Sequence, residues 1–418
     1  MNRFCSIALL VLIAAVAAPL SALGQEWTRF RGPNGTGLSD TTFPAKWTAA
    51  DYAWNTELPG TGHSSPVVWG DKVFVTCAQE TTAERMVVCI SAKTGQVEWK
   101  KDYGSHTFAQ NKDNSYASST PVVDADRVYV NWVTPEEFTL IALTHDGKEI
   151  WKADLGSFIT QHGGGNSPIV VGDTVMIGGE QEGKGKPSFL FGVDAATGKI
   201  RWKTPRKTLK FSGATPIIFH PASGADQIIF SSQGEGITAV DPKTGKVIWQ
   251  KADCFDSRTV GSPVTSDGMI FATCGEGPGG HILNAIRPDG NSGTVVWSTK
   301  DATPYVPTPI IKGDLLFYWS DSGMVTCVHA STGKQVWQHR VPGSYYCSPI
   351  CAGNTLFSVS KKGDVVAISA GEKFELLGQT ALNDKCHATP AISGGKMFVR
   401  TYTRLICVKG SGGQARSE

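Results

Sequence analysis

The sequence has little net charge and, after its first two dozen residues, no long apolar run. Lysine and arginine number 39 against 37 aspartate and glutamate residues, which leaves a formal net charge of +2. Such a balance gives no global field for holding nucleic acid or an anionic membrane. No later stretch reaches the roughly 18 apolar residues of a membrane-spanning helix. We therefore expect neither a nucleic-acid partner nor a membrane span in the mature chain.

Signatures of several common enzyme sites are also missing. The chain has no GxGxxG opening a helix, no GxxxxGK[ST], no HExxH and no GxSxG. Its lysines are scattered over turns, as at Lys93, Lys199 and Lys246, which is typical of a solvated face and not of a groove for phosphate backbones. What the chain does have is glycine, with 47 residues, and this favours a fold with many turns.

The N-terminal end has the features of an export signal over residues 1–24. Arg3 supplies a positive start, and residues 7–18 form an uninterrupted apolar run. Ala22 and Gly24 then place small residues at the two positions that a signal peptidase reads. We expect cleavage before Gln25 and a mature protein that is periplasmic or secreted. An uncleaved anchor is the alternative.

A Ser/Thr-Pro pair followed by an apolar run recurs along the rest of the chain. In most copies a Gly or Asp turn and a second apolar run follow, as in SPVVWGDKVFV, which predicts two strands joined by a tight hairpin. Successive copies stand 40 to 55 residues apart, the length of one four-stranded propeller blade. The eight pairs begin at Ser65, Thr120, Ser167, Thr215, Ser262, Thr308, Ser348 and Thr389.

A glycine turn that leads to a tryptophan lies between these pairs, most clearly as Thr-Gly-x-x-x-Trp. The glycine supplies the positive φ of a tight turn, and the tryptophan of the following strand can pack between neighbouring sheets. A β-sandwich would not repeat one tryptophan at one offset from a turn. The pattern therefore predicts an all-β, eight-bladed propeller of four-stranded antiparallel blades. The docking tryptophans after such turns are Trp99, Trp151, Trp202, Trp249, Trp297 and Trp337.

The last blade is expected to take its outer strand from the N-terminal part of the chain. In the seventh unit Leu377 takes the place of the docking tryptophan, and the eighth unit ends after three strands. Residues 52–58 (YAWNTEL) carry a further docking tryptophan, Trp54, and can complete that blade, which removes a free sheet edge. The predicted divisions are a lead segment at 25–51, the propeller at 52–410 and a flexible tail at 411–418.

The unit A-x-D-x-x-T-G-x-x-x-W resembles the tryptophan-docking motif of the quinoprotein-like propellers, most closely at residues 194–202 and 241–249. The segment WTRFRGPNGTG at 27–37 resembles the opening of exported bacterial PQQ-like repeat proteins. The resemblance implies one of two roles. Members of one kind are dehydrogenases of alcohols or sugars that use pyrroloquinoline quinone (PQQ). The other kind is the propeller lipoprotein of the outer-membrane barrel-assembly machinery, which binds partners without a cofactor.

The chain departs from both kinds. The dehydrogenases typically have adjacent cysteines over the quinone and a calcium site, whereas no two cysteines are adjacent here and no oxygen-rich run indicates calcium. The lipoprotein needs a lipid-bearing cysteine after its signal, where this chain has Gln25. We therefore expect a monomeric, non-catalytic scaffold that binds a protein or carbohydrate partner and no cofactor. A PQQ-dependent oxidoreductase with PQQ and calcium is the alternative.

Binding residues are expected at one mouth of the central channel, on the loops that precede the innermost strands. Hydrogen bonding between neighbouring loops is the other explanation for polar residues there. Because circular closure makes the first and eighth units neighbours, His63 and His387 with Cys386 are a candidate zinc or copper site, although no short-spaced ligand pair supports it. The mouth candidates are His63, Tyr116, His162, Arg258, Tyr305, Tyr346 and His387.

The mature chain has an odd number of cysteines, nine, so at least one thiol is unpaired. Cys347 and Cys351 stand four apart on a predicted strand, roughly 13 Å from each other, which is too far for a disulfide. Cys77 and Cys89 flank one hairpin and are a candidate disulfide. Cys89 and Cys327 both stand ten residues before a docking tryptophan, which indicates a repeat position for a small buried group.

Overall fold

The computed structural model describes residues 26–183, 185–277 and 279–411. The predicted signal peptide and all but the first residue of the predicted tail lie outside the described residues. No helix within this part of the chain is long and apolar enough to cross a membrane. Two short 3-10 helices, Pro33–Gly35 and Ala49–Asp51, lie in the lead segment, and the remaining regular structure is β-strand.

Eight sheets of antiparallel strands follow one another round a central channel, which confirms the predicted propeller. From the innermost strand outwards, blade 1 is Val67–Trp69, Lys72–Ala78, Arg85–Ser91 and Val97–Tyr103; blade 2 is Val122–Val123, Arg127–Val133, Phe138–Thr144 and Glu149–Gly156; blade 3 is Ile169–Val171, Thr174–Gly179, Ser188–Asp194 and Ile200–Arg206; and blade 4 is Ile217–Phe219, Gln227–Ser232, Gly236–Val240 and Val247–Lys251.

The second half of the ring repeats this arrangement. Blade 5 is Val264–Ser266, Met269–Glu276, Gly279–Pro288 and Gly293–Thr299; blade 6 is Ile310–Lys312, Leu315–Trp319, Met324–His329 and Gln335–Arg340; blade 7 is Ile350–Ala352, Thr355–Val359, Asp364–Ser369 and Leu376–Ala381; and blade 8 is Ala391–Ser393, Lys396–Arg400, Arg404–Lys409 and Tyr52–Glu57.

The burial of each strand follows from its place in the blade. In blade 1 the second and third strands are almost wholly buried, because neighbouring blades cover both of their faces, and they read as continuous apolar runs. The outermost strand, Val97–Tyr103, is largely exposed and reads as alternating polar and apolar residues. The apolar run that indicates a buried strand is therefore absent from the outermost strand, which is recognised by its docking turn and tryptophan instead.

Blade 8 is closed by the N-terminal strand, as predicted. Tyr52–Glu57 pairs antiparallel with Arg404–Lys409, and Trp54 lies opposite Cys407. In blades 1 and 6 the docking tryptophan likewise faces a cysteine of the third strand. This explains the repeated cysteine position, because a small side chain there leaves room for the indole ring.

The docking tryptophans join each blade to the next one. The indole N–H of Trp202 donates to the carbonyl of Pro242 at 3.1 Å, and its ring lies against Gly245, where a Cβ would come within 2.5 Å of it. Trp249 differs, since it donates to Gln227 of its own blade. The six other docking tryptophans donate to a carbonyl of the following blade, although Trp99 and Trp297 are only partly buried.

Blade 7 corrects one assignment made from the sequence. The residue at the tryptophan position is Gly378, which lies opposite Ala367. Leu377 lies in the adjoining register shift of the strand pair and has no partner there. Trp47 of the lead segment fills the space instead, with its ring 5.9 Å from that of Phe357. Its backbone N–H and carbonyl both bond the Thr380 hydroxyl. The sequence-based assignment was wrong because the docking residue comes from a distant part of the chain.

The candidate disulfide was also wrong. All nine cysteines in the described ranges are free and buried. Cys77 lies opposite Met86 and Cys89 lies opposite Phe74, so the two thiols are three positions apart along the ladder. That offset corresponds to roughly 10 Å, which is beyond disulfide reach.

Residues 27–39 enter the channel from the end opposite the predicted mouth, and we call this segment the plug. The carbonyls of Trp27 and Thr28 accept from the innermost strands of blades 1 and 2, and the side chain of Asn34 bonds both backbone groups of Ile218 in blade 4. Leu38–Ser39 then pairs parallel with the innermost strand of blade 7. Blades on several sides of the channel are therefore tied to one strap, which closes that end.

Candidate functional site at the channel mouth

The Ser/Thr-Pro pairs form a ring of hydrogen bonds around the channel. The backbone N–H of each Ser or Thr donates to the side-chain hydroxyl of its counterpart in the next blade, as from Ser65 to Thr120 at 2.9 Å. Seven of the eight links are present, including the closing one from Thr389 to Ser65 at 3.0 Å. The following proline has no N–H that would need a partner, which suits the start of a short innermost strand. We call these eight residues the hydroxyl ring.

The hydroxyl ring lines a cavity of about 160 Å³. Phe30 of the plug also lines it, and because the plug enters from the opposite end, Phe30 forms its floor. A second cavity of about 180 Å³ adjoins it and shares Asp113, Asn114 and Tyr346 with it. Together they make one blind depression, the mouth cavity.

Five of the seven mouth candidates line this cavity, namely His63, His162, Tyr305, Tyr346 and His387. Tyr116 does not, since its hydroxyl donates to the Phe108 carbonyl at 3.3 Å and its ring packs edge-on against that phenylalanine. Arg258 is also turned away. Its guanidinium is buried and donates to Glu182 at 2.8 Å and to Glu276 at 2.6 Å. Arg258 therefore bonds a neighbouring loop through Glu182, as the alternative explanation expects, whereas Tyr116 bonds within its own loop.

The imidazoles of His63 and His387 meet at the mouth, as ring closure predicts. Their centroids are 4.2 Å apart and the rings are stacked, with 27° between their planes. Burial, reinforced for His63 by its neighbour and for His387 by Lys361, lowers the pKa of both rings, that of His387 to about 4. Both side chains are therefore neutral at pH 7.

The third member of the candidate metal site is not brought to this pair. The thiol of Cys386 is fully buried and lies 3.1 Å from the carbonyl of Arg400, which accepts its hydrogen. Within the described ranges, no group of three or more histidine, cysteine, aspartate or glutamate residues is placed to hold a metal ion.

A long loop, of which only Tyr116 was named from the sequence, crosses the mouth. It connects blades 1 and 2, and its Asp113 reaches blade 7, where Lys361 donates to the carboxylate at 2.9 Å. Its Asn114 donates to the carbonyls of His162 and Gly164 on the far side of the opening. The available signal was the spacing of the first two Ser/Thr-Pro pairs, 55 residues, which is the longest of the series.

The crossing loop brings the negative charge of Asp113 to the mouth, and a lysine compensates it. Although burial alone would raise it, the hydrogen bond from Lys361 holds the pKa of Asp113 below its usual value. The Lys361 ammonium also lies 4.1 Å from the ring centroid of Tyr346. Asp113 and Lys361 therefore form an ion pair at the rim of the cavity.

The family model described as "Outer membrane protein assembly factor BamB" matches residues 45–213, 190–346 and 323–414. The chain belongs to this family. The match spans the propeller and confirms the resemblance drawn from the docking motif. A comparison with curated protein sequences gives no match.

Solved structures similar to this BamB-family chain include both kinds of propeller that the sequence resembles. BamB from Moraxella catarrhalis is 13% identical with a TM-score of 0.61, over 86% of this chain and 99% of that one. The quinohemoprotein alcohol dehydrogenase from Comamonas testosteroni is 14% identical with a TM-score of 0.66, over 94% and 82%. The computationally designed Ika8 protein is 10% identical with a TM-score of 0.59, over 84% and 98%. These likenesses show the fold.

The cation among the mouth candidates is not free to hold PQQ. This planar tricarboxylate needs a flat floor, free cationic or amide groups and a divalent ion. Here Arg258, the one arginine among the mouth candidates, is bound by two carboxylates.

Proposed function

We propose that this BamB-family propeller is an exported, non-catalytic binding protein that holds a protein or carbohydrate partner at its channel mouth. The partner inserts one small polar group into the mouth cavity. The observation that carries the proposal is the convergence of the hydroxyl ring and of loops from around the propeller on a single blind cavity. Loops at one end of a rigid β-scaffold are a common place for binding residues.

The state of the mouth residues supports binding over catalysis. The two neutral imidazoles stack on each other, so neither is paired with a carboxylate in the manner of a general base. The one carboxylate that lines both cavities, Asp113, is paired with Lys361. The aromatic rings of Tyr305 and Tyr346 provide contact area beside these polar groups, a combination that suits protein and sugar partners.

A blocked-mouth variant tests the proposal. Gly165 lines both cavities, and a Cβ there would meet only Phe211 at 3.8 Å, so Gly165→Gln extends a side chain into the cavity without a clash. Gly371 lies at a turn of the opposite face in open space, so Gly371→Gln is a matched control. Wild type and both variants are used as baits in pull-downs from the native cell envelope. The same three proteins are titrated with a set of oligosaccharides by calorimetry.

We expect the partner to bind wild type and Gly371→Gln equally and to bind Gly165→Gln about tenfold more weakly, a difference of about 1.4 kcal/mol. Equal capture by all three baits would refute a role for the mouth. The alternative function has its own test, since a dehydrogenase supplied with PQQ and calcium would oxidise alcohols or sugars with a dye as acceptor. We expect no turnover.

A further inference from the structure

The hydroxyl ring has hydrogen atoms left to donate. Each hydroxyl can accept and donate, and seven of the eight already accept a backbone N–H from the preceding blade. Within the described ranges, none of the eight donates to an oxygen or nitrogen atom of the protein. All eight line the same cavity. The ring therefore presents a collar of O–H donors to whatever enters.

Two buried cations of the plug lie directly against this collar. The guanidinium of Arg31 donates to the carbonyl of Pro309 at 2.9 Å and to that of Pro349 at 3.1 Å, and that of Arg29 donates to the carbonyl of Pro216. Each of these prolines follows a residue of the ring. Neither arginine is more than 5% exposed, and the Nε of each has no partner among the described residues.

A third buried cation lies where blade 8 meets blade 1. Arg400 is fully buried and donates to the carbonyl of Ser64 at 2.9 Å, next to Ser65 of the ring, and its other contacts are the Ser64 hydroxyl and the Cys77 thiol. No carboxylate in the described part of the chain lies within 4 Å of any of the three guanidiniums. Burial lowers the pKa of Arg31 to about 9, so that side chain remains charged at pH 7.

The charges around the mouth cavity therefore do not balance. Asp113 is paired with Lys361, Glu182 and Glu276 are paired with Arg258 and Lys210, and the stacked histidines are uncharged. Asp321 is a partly buried carboxylate that accepts only from backbone N–H groups, those of Tyr305 and Val306. Three guanidiniums outside the cavity lining outnumber that one carboxylate, with Arg29 and Arg31 beneath the ring and Arg400 beside it, and each is held only by neutral acceptors. A buried charge without a counter-charge is costly, and its field is weakly screened in a low-dielectric interior. An anion in the cavity would offset that cost.

We infer that the mouth cavity is an oxyanion site, in which the hydroxyl ring donates to a sulfate, phosphate or carboxylate group and Arg29, Arg31 and Arg400 supply the compensating charge. The inference rests on the proposed function and names the group that the partner inserts. Charge-assisted hydrogen bonds of this kind are stronger than those between neutral groups. A neutral sugar would leave the three cations uncompensated.

Calorimetry on the full mature chain at pH 7 tests the inference. The probes are sodium sulfate, sodium phosphate and sodium chloride at matched ionic strength, followed by glucuronate against glucose, which separates a free inorganic anion from an acidic group on a sugar. Each probe is titrated into wild type, Gly165→Gln and Gly371→Gln. Thr308→Val removes one ring donor, and Gly165→Gln provides a variant that leaves the ring intact should Thr308→Val fold poorly.

We expect saturable binding of sulfate, phosphate or glucuronate, about tenfold weaker in Gly165→Gln and unchanged in Gly371→Gln, with glucose and chloride giving no saturable heat. Absence of saturable binding by all three oxyanions overturns the inference, as does equal binding by Gly165→Gln. If the partner binds wild type about tenfold better than Gly165→Gln while no oxyanion binds, the inference fails and the proposed function stands. If the partner binds Gly165→Gln as tightly as wild type, the proposed function itself fails.

Discussion

The two ends of the channel are built from similar residues but use them differently. At the plugged end, groups of the plug bond the innermost strands directly, as where Asn34 bonds both backbone groups of Ile218. Trp27 is fully buried there. At the mouth, the ring hydroxyls accept bonds but retain donors, and His63, His162 and Tyr346 are only partly buried. The plugged end therefore ties the blades together, whereas the mouth presents hydroxyl donors that a ligand can reach.

Removing the plug altogether should have the largest effect on this contrast between the two ends. A chain that begins at residue 59 lacks both the plug and the outer strand of blade 8. We expect an open sheet edge and an aggregating product without a cooperative melting transition. Size-exclusion chromatography and thermal melting measure this, and a monomer that melts at the wild-type temperature would disprove the closure argument.

A single residue of the plug should have the next largest effect. Trp27→Ala removes a fully buried indole that packs on Gly32, so we expect a loss of about 3–5 kcal/mol in the free energy of unfolding. Chemical denaturation measures it. At the mouth, Tyr305→Ala removes a half-buried ring and should cost clearly less. Similar losses at both sites would remove the distinction between the two ends.

A matched pair of glycines sharpens the comparison. Gly32 in the plug has a φ of +67° and a Cβ there would lie 2.6 Å from the Trp27 ring, whereas Gly165 at the mouth has room for one. Gly32→Ala should lower the free energy of unfolding by about 1–3 kcal/mol through strain and collision. Gly165→Ala should leave it unchanged or raise it by up to about 1 kcal/mol. The reverse order, measured by denaturation, would show that the plug is the looser end.

The smallest expected effect is a pH dependence confined to the mouth. Because the folded pKa of His387, about 4, lies below its unfolded value of about 6.5, protonation favours the unfolded chain as pH falls between those values. Its contribution to stability is therefore present above pH 6.5 and is lost on approach to pH 4. After allowance for partial exposure, we expect His387→Gln to reduce the acid-induced loss by about 1–2 kcal/mol. Parallel stability curves for wild type and variant would contradict this.

The blades could be predicted from the sequence because their signals are local. A Ser/Thr-Pro pair and a Thr-Gly turn each fix a strand within a dozen residues, so eight units and their order follow directly. The indole of Trp47 could not be placed in the same way, since nothing near it in the chain shows that Gly378 leaves a space. The strand and turn signals repeat along the chain, whereas the space that Trp47 fills exists only once the blades have assembled.

The residues that line the mouth cavity could be predicted only in part, because only some of them are placed by local signals. Five candidates reach the cavity because the repeat fixes where each loop stands. Arg258 does not, since carboxylates from two other loops bind it, and Asp113 was missed because its loop crosses the opening to reach Lys361. The roles of Arg29 and Arg31 depend on partners 187 to 318 residues away, a separation over which no spacing rule operates.

The link from Thr389 to Ser65 gives the molecule no terminal repeat. In a linear array of repeats, the end units lack one neighbour and fray first, so unfolding spreads inwards from the ends. Here every blade has two neighbours, and the contact that completes the circle joins residues 324 positions apart. Any single blade can therefore open only by breaking two interfaces together. We expect amide protons of the innermost strands to exchange at one common, slow rate, set by the opening of the whole circle.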